Sequence, residues 1–240
     1  FASAVQLNGL LEAGDFLPKR VGLLTKELLG CFARVESRVD AEPDVSVRHS
    51  IGHSCRERWG CRVEDDRDEV AARPLLDAGA AWASSPRDVA AASDSVFTCL
   101  PSPRAVDDVV AGESGLLGGM RAGGTWIDTS TNDSHELQRL AALAAAAGVS
   151  CLEAPVTGGV HLAASGQITV LVGGDAEVFE AHLPAFEAIG DKVFFIGPLG
   201  SASVIKVITN MLAFIHLVAA GEALMLAKRA GLDLAQSFEV

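Results

Sequence analysis

Residues 125–153 read TWIDTSTNDSHELQRLAALAAAAGVSCLE. TWID (Thr125–Asp128) is a short apolar run that stops at a carboxylate, and VSCLE (Val149–Glu153) does the same. Between them, Ser134–Ala147 carries Leu137, Leu140, Leu143 and Ala144 at helical spacing, which makes one helix face apolar. Ser134 stands where an N-cap side chain is wanted. A strand, a helix and a strand in about thirty residues is the unit from which parallel sheets are built.

The alternation continues on both sides. Ser95–Leu100 (SVFTCL), Ile168–Val172 (ITVLV) and Val193–Ile196 (VFFI) are further strand-like runs bounded by Gly, Pro, Asp or Ser. Arg104–Ala111 and Glu177–Ile189 have helical periodicity. The pattern predicts an α/β, Rossmann-like doubly wound sheet over residues 71–197. From about Ser201 to Ala230 the sequence becomes one long helix, apolar on most sides, with Gly231 as its stop. Residues 198–240 then read as the first long helix of an all-α domain that is truncated here. Val204–Ala227 is interrupted by Lys206, Asn210, His216 and Glu222, and a buried helix is expected rather than a membrane span.

Residues 1–70 have another character. Val21, Leu24, Leu28 and Phe32 recur at helical spacing within Pro18-to-Phe32, which predicts a helix there. Glu36 to Val70 is rich in Arg and Asp with weak periodicity. It contains His49, His53, Cys55 and Cys61, residue types that zinc uses, but their spacing fits no common finger and no metal is expected. This stretch is an atypical or degraded N-terminal segment.

Composition narrows the function. Of 240 residues, 49% are hydrophobic and 21% charged, which is a globular balance with enough apolar side chain for a core. The net charge of −12 argues against nucleic acid as a partner, since phosphate binding needs clustered Lys and Arg. Five dispersed cysteines with no C-x-x-C pair suit reduced thiols, and no secretory signal opens the sequence. A cytoplasmic location is expected.

Four strand ends hold the chemistry. Cys99-Leu100-Pro101-Ser102-Pro103 puts a Pro-rigidified turn at a carboxyl edge, where ligands of open α/β sheets lie. Asp128-Thr129-Ser130-Thr131 offers hydroxyls to a polar ligand or to helix capping. Glu153-Ala154-Pro155-Val156-Thr157-Gly158-Gly159 ends in a hydroxyl and two glycines, which suits either a tight turn or backbone N–H groups approaching a carboxylate. Gly197-Pro198-Leu199-Gly200 leads into the long helix, where Lys206 and Asn210 share a face. A lysine among Val204, Ile205, Val207, Ile208 and Met211 is partly desolvated, which lowers its pKa toward acid–base work. Asn132-Asp133-Ser134 matches a glycosylation sequon by chance. No two glycines lie two apart, so G-x-G-x-x-G cannot occur.

In this order the motifs resemble the β-hydroxyacid dehydrogenase family, which includes 3-hydroxyisobutyrate dehydrogenase and tartronate semialdehyde reductase. The resemblance covers roughly Arg73 to Val240 and includes PLLDAGA (Pro74–Ala80), SSPRDVAAASD (Ser84–Asp94), CLPSP, IDTST, EAPVTGGV, QITVLVGGD, IGPLGSASVIKVITN and GEALMLAKRAGLD. It implies an NAD- or NADP-dependent interconversion of a small β-hydroxyacid and its semialdehyde. Leu100, Pro101 and Thr131 would line the cofactor site, and Thr157, Gly158 and Gly159 would hold the substrate carboxylate. Lys206 would be the general acid/base, with Asn210 orienting the reacting oxygen. A homo-oligomer is implied as well.

The departures shape a second expectation. The family opens with a strand and a Gly-rich turn that this sequence lacks. Similarity starts near Gly60-Cys61-Arg62-Val63, with Asp66 and Arg67 at the ribose-binding end, which leaves NAD and NADP both open. The helical domain of the family runs well past residue 240. We expect an incomplete chain, or a reading-frame error upstream of about residue 62. The alternatives to an enzyme are a non-catalytic dehydrogenase-like binding module and an inactive fragment.

Overall fold

A computed structural model describes residues 4–8, 20–25, 62–64, 81–164 and 166–240. Among the described residues ten strands form one sheet: β1 (Ala4–Asn8), β2 (Arg20–Thr25), β3 (Arg62–Glu64), β4 (Ala81–Ala83), β5 (Ser95–Cys99), β6 (Thr125–Asp128), β7 (Ser150–Glu153), β8 (Val156–Thr157), β9 (Thr169–Gly174) and β10 (Lys192–Gly197). The order across the sheet is β10-β9-β7-β6-β5-β2-β1-β3-β4, with β8 paired to β9. Strands β2, β5, β6 and β7 run parallel, so their carboxyl ends share one edge. β9 is antiparallel to β7, and β1 is antiparallel to both β2 and β3, so the sheet is mixed.

The helices are α1 (Pro86–Ala91), α2 (Pro103–Ala111), α3 (Ser134–Ala146), α4 (Gly159–Ala164), α5 (Ala176–Ile189), α6 (Ser201–Arg229) and α7 (Leu234–Glu239). Successive strand residues point to opposite faces, and the core divides accordingly. Val96 and Trp126 pack with Val106, Leu137 and Leu140 of α2 and α3. Their neighbours Phe97 and Ile127 pack on the other side with Phe179 and Phe186 of α5. Helices therefore cover both faces, which makes the sheet doubly wound.

Four sequence expectations need correction. Arg20–Thr25, read as part of a helix, is strand β2. A run of RVGLLT is short enough to pair as a strand, and a few apolar residues cannot by periodicity alone distinguish the two states. The N-cap of α3 is Asp133, not Ser134: its carboxylate accepts from the N–H groups of His135 and Glu136. Leu143 is 43% exposed while Leu137, Leu140 and Ala144 are buried. Of helix α6 Ala202 and Ser203 are buried, and most of its remaining apolar surface is left uncovered by the described residues. By length and composition α6 is sufficient to cross a membrane. His49, His53, Cys55, Cys61, Asp66 and Arg67 lie outside the described residues, as does the segment Pro74–Ala80.

One buried polar pair ties the sheet to α5. Val178 O can only accept, so the Nδ1 of His182 carries the proton that donates to it at 2.7 Å. Nε2 then accepts from Ser95 Oγ at 2.9 Å. Burial holds the imidazole below the usual histidine range, with the Val178 bond opposing that effect. A histidine held neutral in the fold takes up its proton first in the unfolded chain. Stability contributed by this pair is present above about pH 6.5 and lost as pH falls below it. The expected outcome is a Tm that declines from pH 7 to pH 5, with the decline flattened in His182→Gln.

Candidate functional site

The carboxyl edge of β5, β6 and β7 is held by a buried polar network. Asp128, at the end of β6, accepts from Thr98 Oγ1 at 2.9 Å, from Ser130 N–H at 3.1 Å and from Asn132 Nδ2 at 3.1 Å. Thr98 in turn accepts from Trp126 Nε1 at 2.9 Å. Burial raises the Asp128 pKa, and the bonds from Ser130, Thr98 and Asn132 pull it back down. Leu100 N–H donates to Ser130 Oγ at 2.9 Å, which fastens the turn after β5 to the loop after β6.

These bonds change the reading of the hydroxyl cluster. Ser130 holds Leu100, and Thr129 Oγ1 donates to Thr98 O at 2.8 Å, so both are committed within the fold. Thr131 alone of the three is exposed. The Leu100 side chain is buried in the core, whereas Pro101 is exposed on the same edge. Asn132 is buried and bonded to Asp128, which removes the sequon from the surface.

A second centre lies where β7 ends. Glu153 is 1% exposed, and its Oε1 accepts from Gly200 N–H at 2.6 Å and Ala202 N–H at 2.9 Å. Its Oε2 accepts from Ser203 N–H at 2.9 Å and also from Ser203 Oγ. Helices α1, α2, α3, α5 and α7 each begin at a Ser or Asp that caps its own first turn. Helix α6 begins at Gly200, which has φ +101° and no side chain to offer. Glu153 supplies the missing cap from across the sheet. Gly173 makes room for it, because a Cβ there would lie 2.4 Å from Oε1. Sequence reasoning missed this role: Glu153 reads as a strand end, and its partners lie 47–50 residues away.

Beyond Glu153 the chain passes Ala154–Pro155 into β8, which pairs antiparallel with β9 and sets half-buried Thr157 opposite Thr169. Gly158 and Gly159 follow, both exposed and both at positive φ. Helix α6 leaves Glu153 and packs along β8, β9 and β10. It carries Lys206 and Asn210, both half-buried. Burial lowers the Lys206 pKa from its ordinary value. The elements bearing Thr157 and Lys206 are thus in contact, and the turn bearing Leu100 and Pro101 is joined to the loop bearing Thr131. Among the described residues no group of His, Cys, Asp and Glu is arranged to hold a metal ion.

The profile of the "NAD binding domain of 6-phosphogluconate dehydrogenase" matches residues 56–197. That of the "NAD-binding of NADP-dependent 3-hydroxyisobutyrate dehydrogenase" matches residues 200–240. The chain belongs to the β-hydroxyacid dehydrogenase family. Its lineage is that of NAD(P)-dependent oxidoreductases. Within this lineage it is 36% identical over 168 residues to an NAD-dependent L-serine dehydrogenase of Pseudomonas aeruginosa, covering 70% of this chain and 56% of that one. It is also 34% identical over 157 residues to the human cytokine-like nuclear factor N-PAC, covering 65% of this chain and 28% of that one. The structure of Mycobacterium tuberculosis 3-hydroxyisobutyrate dehydrogenase with L-serine superimposes with a TM-score of 0.68 at 27% identity, covering 87% of this chain and 64% of that one. The chain spans about half the length of the dehydrogenase relative it matches and less of the nuclear factor.

The Thr98 hydroxyl links β5 to β6 at this edge, donating to Asp128 and accepting from Trp126. Removing it leaves Trp126 Nε1 without a partner and takes from Asp128 one of the two donors on its Oδ1, each at roughly 1–3 kcal/mol. Thr98→Val is expected to lose about 2–4 kcal/mol in a urea melt, and Thr98→Ser to recover most of it.

Proposed function

We propose that this chain carries the nicotinamide side and the acid–base face of an NAD(P)-dependent dehydrogenase acting on a small β-hydroxyacid. The observation that carries the reading is a half-buried Lys206, with its pKa lowered by desolvation, on a helix that packs against β8, the strand that carries Thr157. Lysine is useful as a proton acceptor at moderate pH only when its charged form is disfavoured, and partial burial does that.

The residues present fit one half of the cofactor. Exposed Pro101 and Thr131 lie on an edge already ordered by the Asp128 network and would border the nicotinamide, with the Leu100 backbone between them. The pyrophosphate half has no G-x-G-x-x-G turn in this sequence. When bound, NAD or NADP supplies the hydride acceptor or donor.

Thr157 Oγ1 and the N–H groups of Gly158 and Gly159 would bind the substrate carboxylate, where the absence of Cβ atoms allows close approach. In oxidation the neutral amine of Lys206 takes the hydroxyl proton; in reduction its ammonium returns one. Asn210, one helical turn along, would hold the reacting oxygen by its amide N–H. L-serine and 3-hydroxyisobutyrate are the substrates to try first, given the names of the relatives. The uncovered apolar surface of α6 favours a homo-oligomer.

A second reading, a dehydrogenase-like module without turnover, is favoured by the missing glycine turn and by the match to a nuclear factor. A fluorescence titration with NADH and NADPH separates the two. Saturable binding supports the enzyme; no binding of either at millimolar concentration supports the module. With binding in hand, oxidation should accelerate with pH and level off below the ordinary lysine range. Lys206→Ala should then remove that rise, slow turnover at least about 100-fold and leave cofactor affinity within about twofold. Turnover in Lys206→Ala comparable to the parent chain would refute the acid–base assignment.

A further inference from the structure

Glu153 does more than close a helix end. Helix α6 begins at a left-handed glycine with no capping side chain, yet its first N–H groups are all accounted for. Gly200, Ala202 and Ser203 donate to Glu153, and Ser201 donates to Pro198 O at 3.0 Å. Two carboxylate oxygens that receive three backbone N–H groups and the Ser203 hydroxyl fix both the height and the rotation of the first turn. Gly173, whose missing Cβ leaves room for Oε1, keeps the carboxylate seated from the opposite side. Lys206 follows Ser203 by three residues, and Thr157 follows Glu153 by four along the other branch of the chain. One buried side chain therefore stands at the root of both arms.

We propose that Glu153 is a positioning residue that sets where Lys206 sits against the β8 strand end. The reading of Lys206 as acid–base residue gives this its functional meaning, but the positioning is testable without any turnover. Strands β8 and β9, which pack on α6, carry no charged side chain. β10 carries Lys192, β7 carries Glu153 itself, and α7 carries Glu239 beside the far part of the helix. On α6 itself the other titratable groups are His216, Glu222, Lys228 and Arg229.

The test is the pH profile of acetic anhydride labelling of the full chain, read by mass spectrometry. Exposed Lys228 of the same helix serves as the reference. In the parent chain Lys206 should titrate below the ordinary lysine range. Glu153→Asp keeps the charge but withdraws the carboxylate by one methylene, so a direct electrostatic effect on Lys206 stays nearly constant. In this variant α6 loses its seat, Lys206 gains water, and its titration moves up toward the ordinary lysine range. At fixed pH its free-amine fraction falls about tenfold for each unit of that rise. Glu153→Gln should move Lys206 in the same upward sense, although loss of a nearby negative charge alone would move it down. Far-UV circular dichroism establishes which variants keep their helices, and either folded variant suffices. A Lys206 profile unchanged or shifted downward in a folded variant overturns the positioning role. That result is distinct from activity surviving in Lys206→Ala, which would overturn the acid–base role alone.

Discussion

A carboxylate cut off from water must find donors, and Glu153 finds them in the N-terminus of α6. A buried unpaired carboxylate is strongly unfavourable, and so is a helix terminus with orphan N–H groups. The two liabilities cancel only if β7 and α6 meet at one geometry. Gly173 and Gly200 are parts of the same arrangement, the first leaving space for Oε1 and the second turning the chain into the helix. The junction between the sheet and the long helix is thereby a fixed angle rather than a hinge.

Asp128 solves the corresponding problem one strand pair away. Its donors come from β5, from the loop after β6 and from Asn132, so one buried carboxylate holds together the two turns that form the carboxyl edge. The network reaches Leu100 through Ser130 and Trp126 through Thr98. Charge at the ends of β6 and β7 is thus directed inward to the fold. Among the described residues, Pro101, Thr131, Thr157, the two glycines after it and Lys206 stay exposed or half-buried. Catalytic folds commonly separate these tasks, with rigid satisfied interiors holding a few exposed polar groups in place.

Strands β5, β6, β7, β9 and β10 and helices α2, α3, α5 and α6 were legible because each is a short apolar run or a periodic stretch bounded by strong punctuation, whereas the two-residue β8 and the six-residue α4 are too short to leave a pattern. Thr125–Asp128 is the clearest case, with buried side chains on both sheet faces making the run continuous. Lys206 was legible for a similar reason: a lone lysine among aliphatic neighbours is desolvated wherever that helix packs. Asp133 was missed as a cap because two adjacent capping residues compete, and backbone geometry decides between them. Arg20–Thr25 was misread because leucines and valines at helical spacing also fit a strand. The clamp of Glu153 had no local signal at all, since its donors are backbone groups and any residue has those. Long-range capping is a property of topology, and topology is what a single sequence reveals least.

Helix α6 shows how far local consistency can go without being complete. Its first turn is seated by Glu153, and its next turn carries the desolvated lysine. From Val204 onward, however, large apolar side chains such as Phe214, Leu217 and Leu226 stand mostly exposed. Such a surface is stable in water only when something covers it. A bilayer would meet the length requirement, but Lys206 and Glu222 within the apolar stretch are costly in hydrocarbon. Residues 200–240 match a dehydrogenase segment, and we propose protein as the cover. On that view the clamp and the apolar face work in series. Glu153 orients the helix at its root, where Lys206 is half-buried within this chain, and whatever packs along its length covers the apolar face beyond.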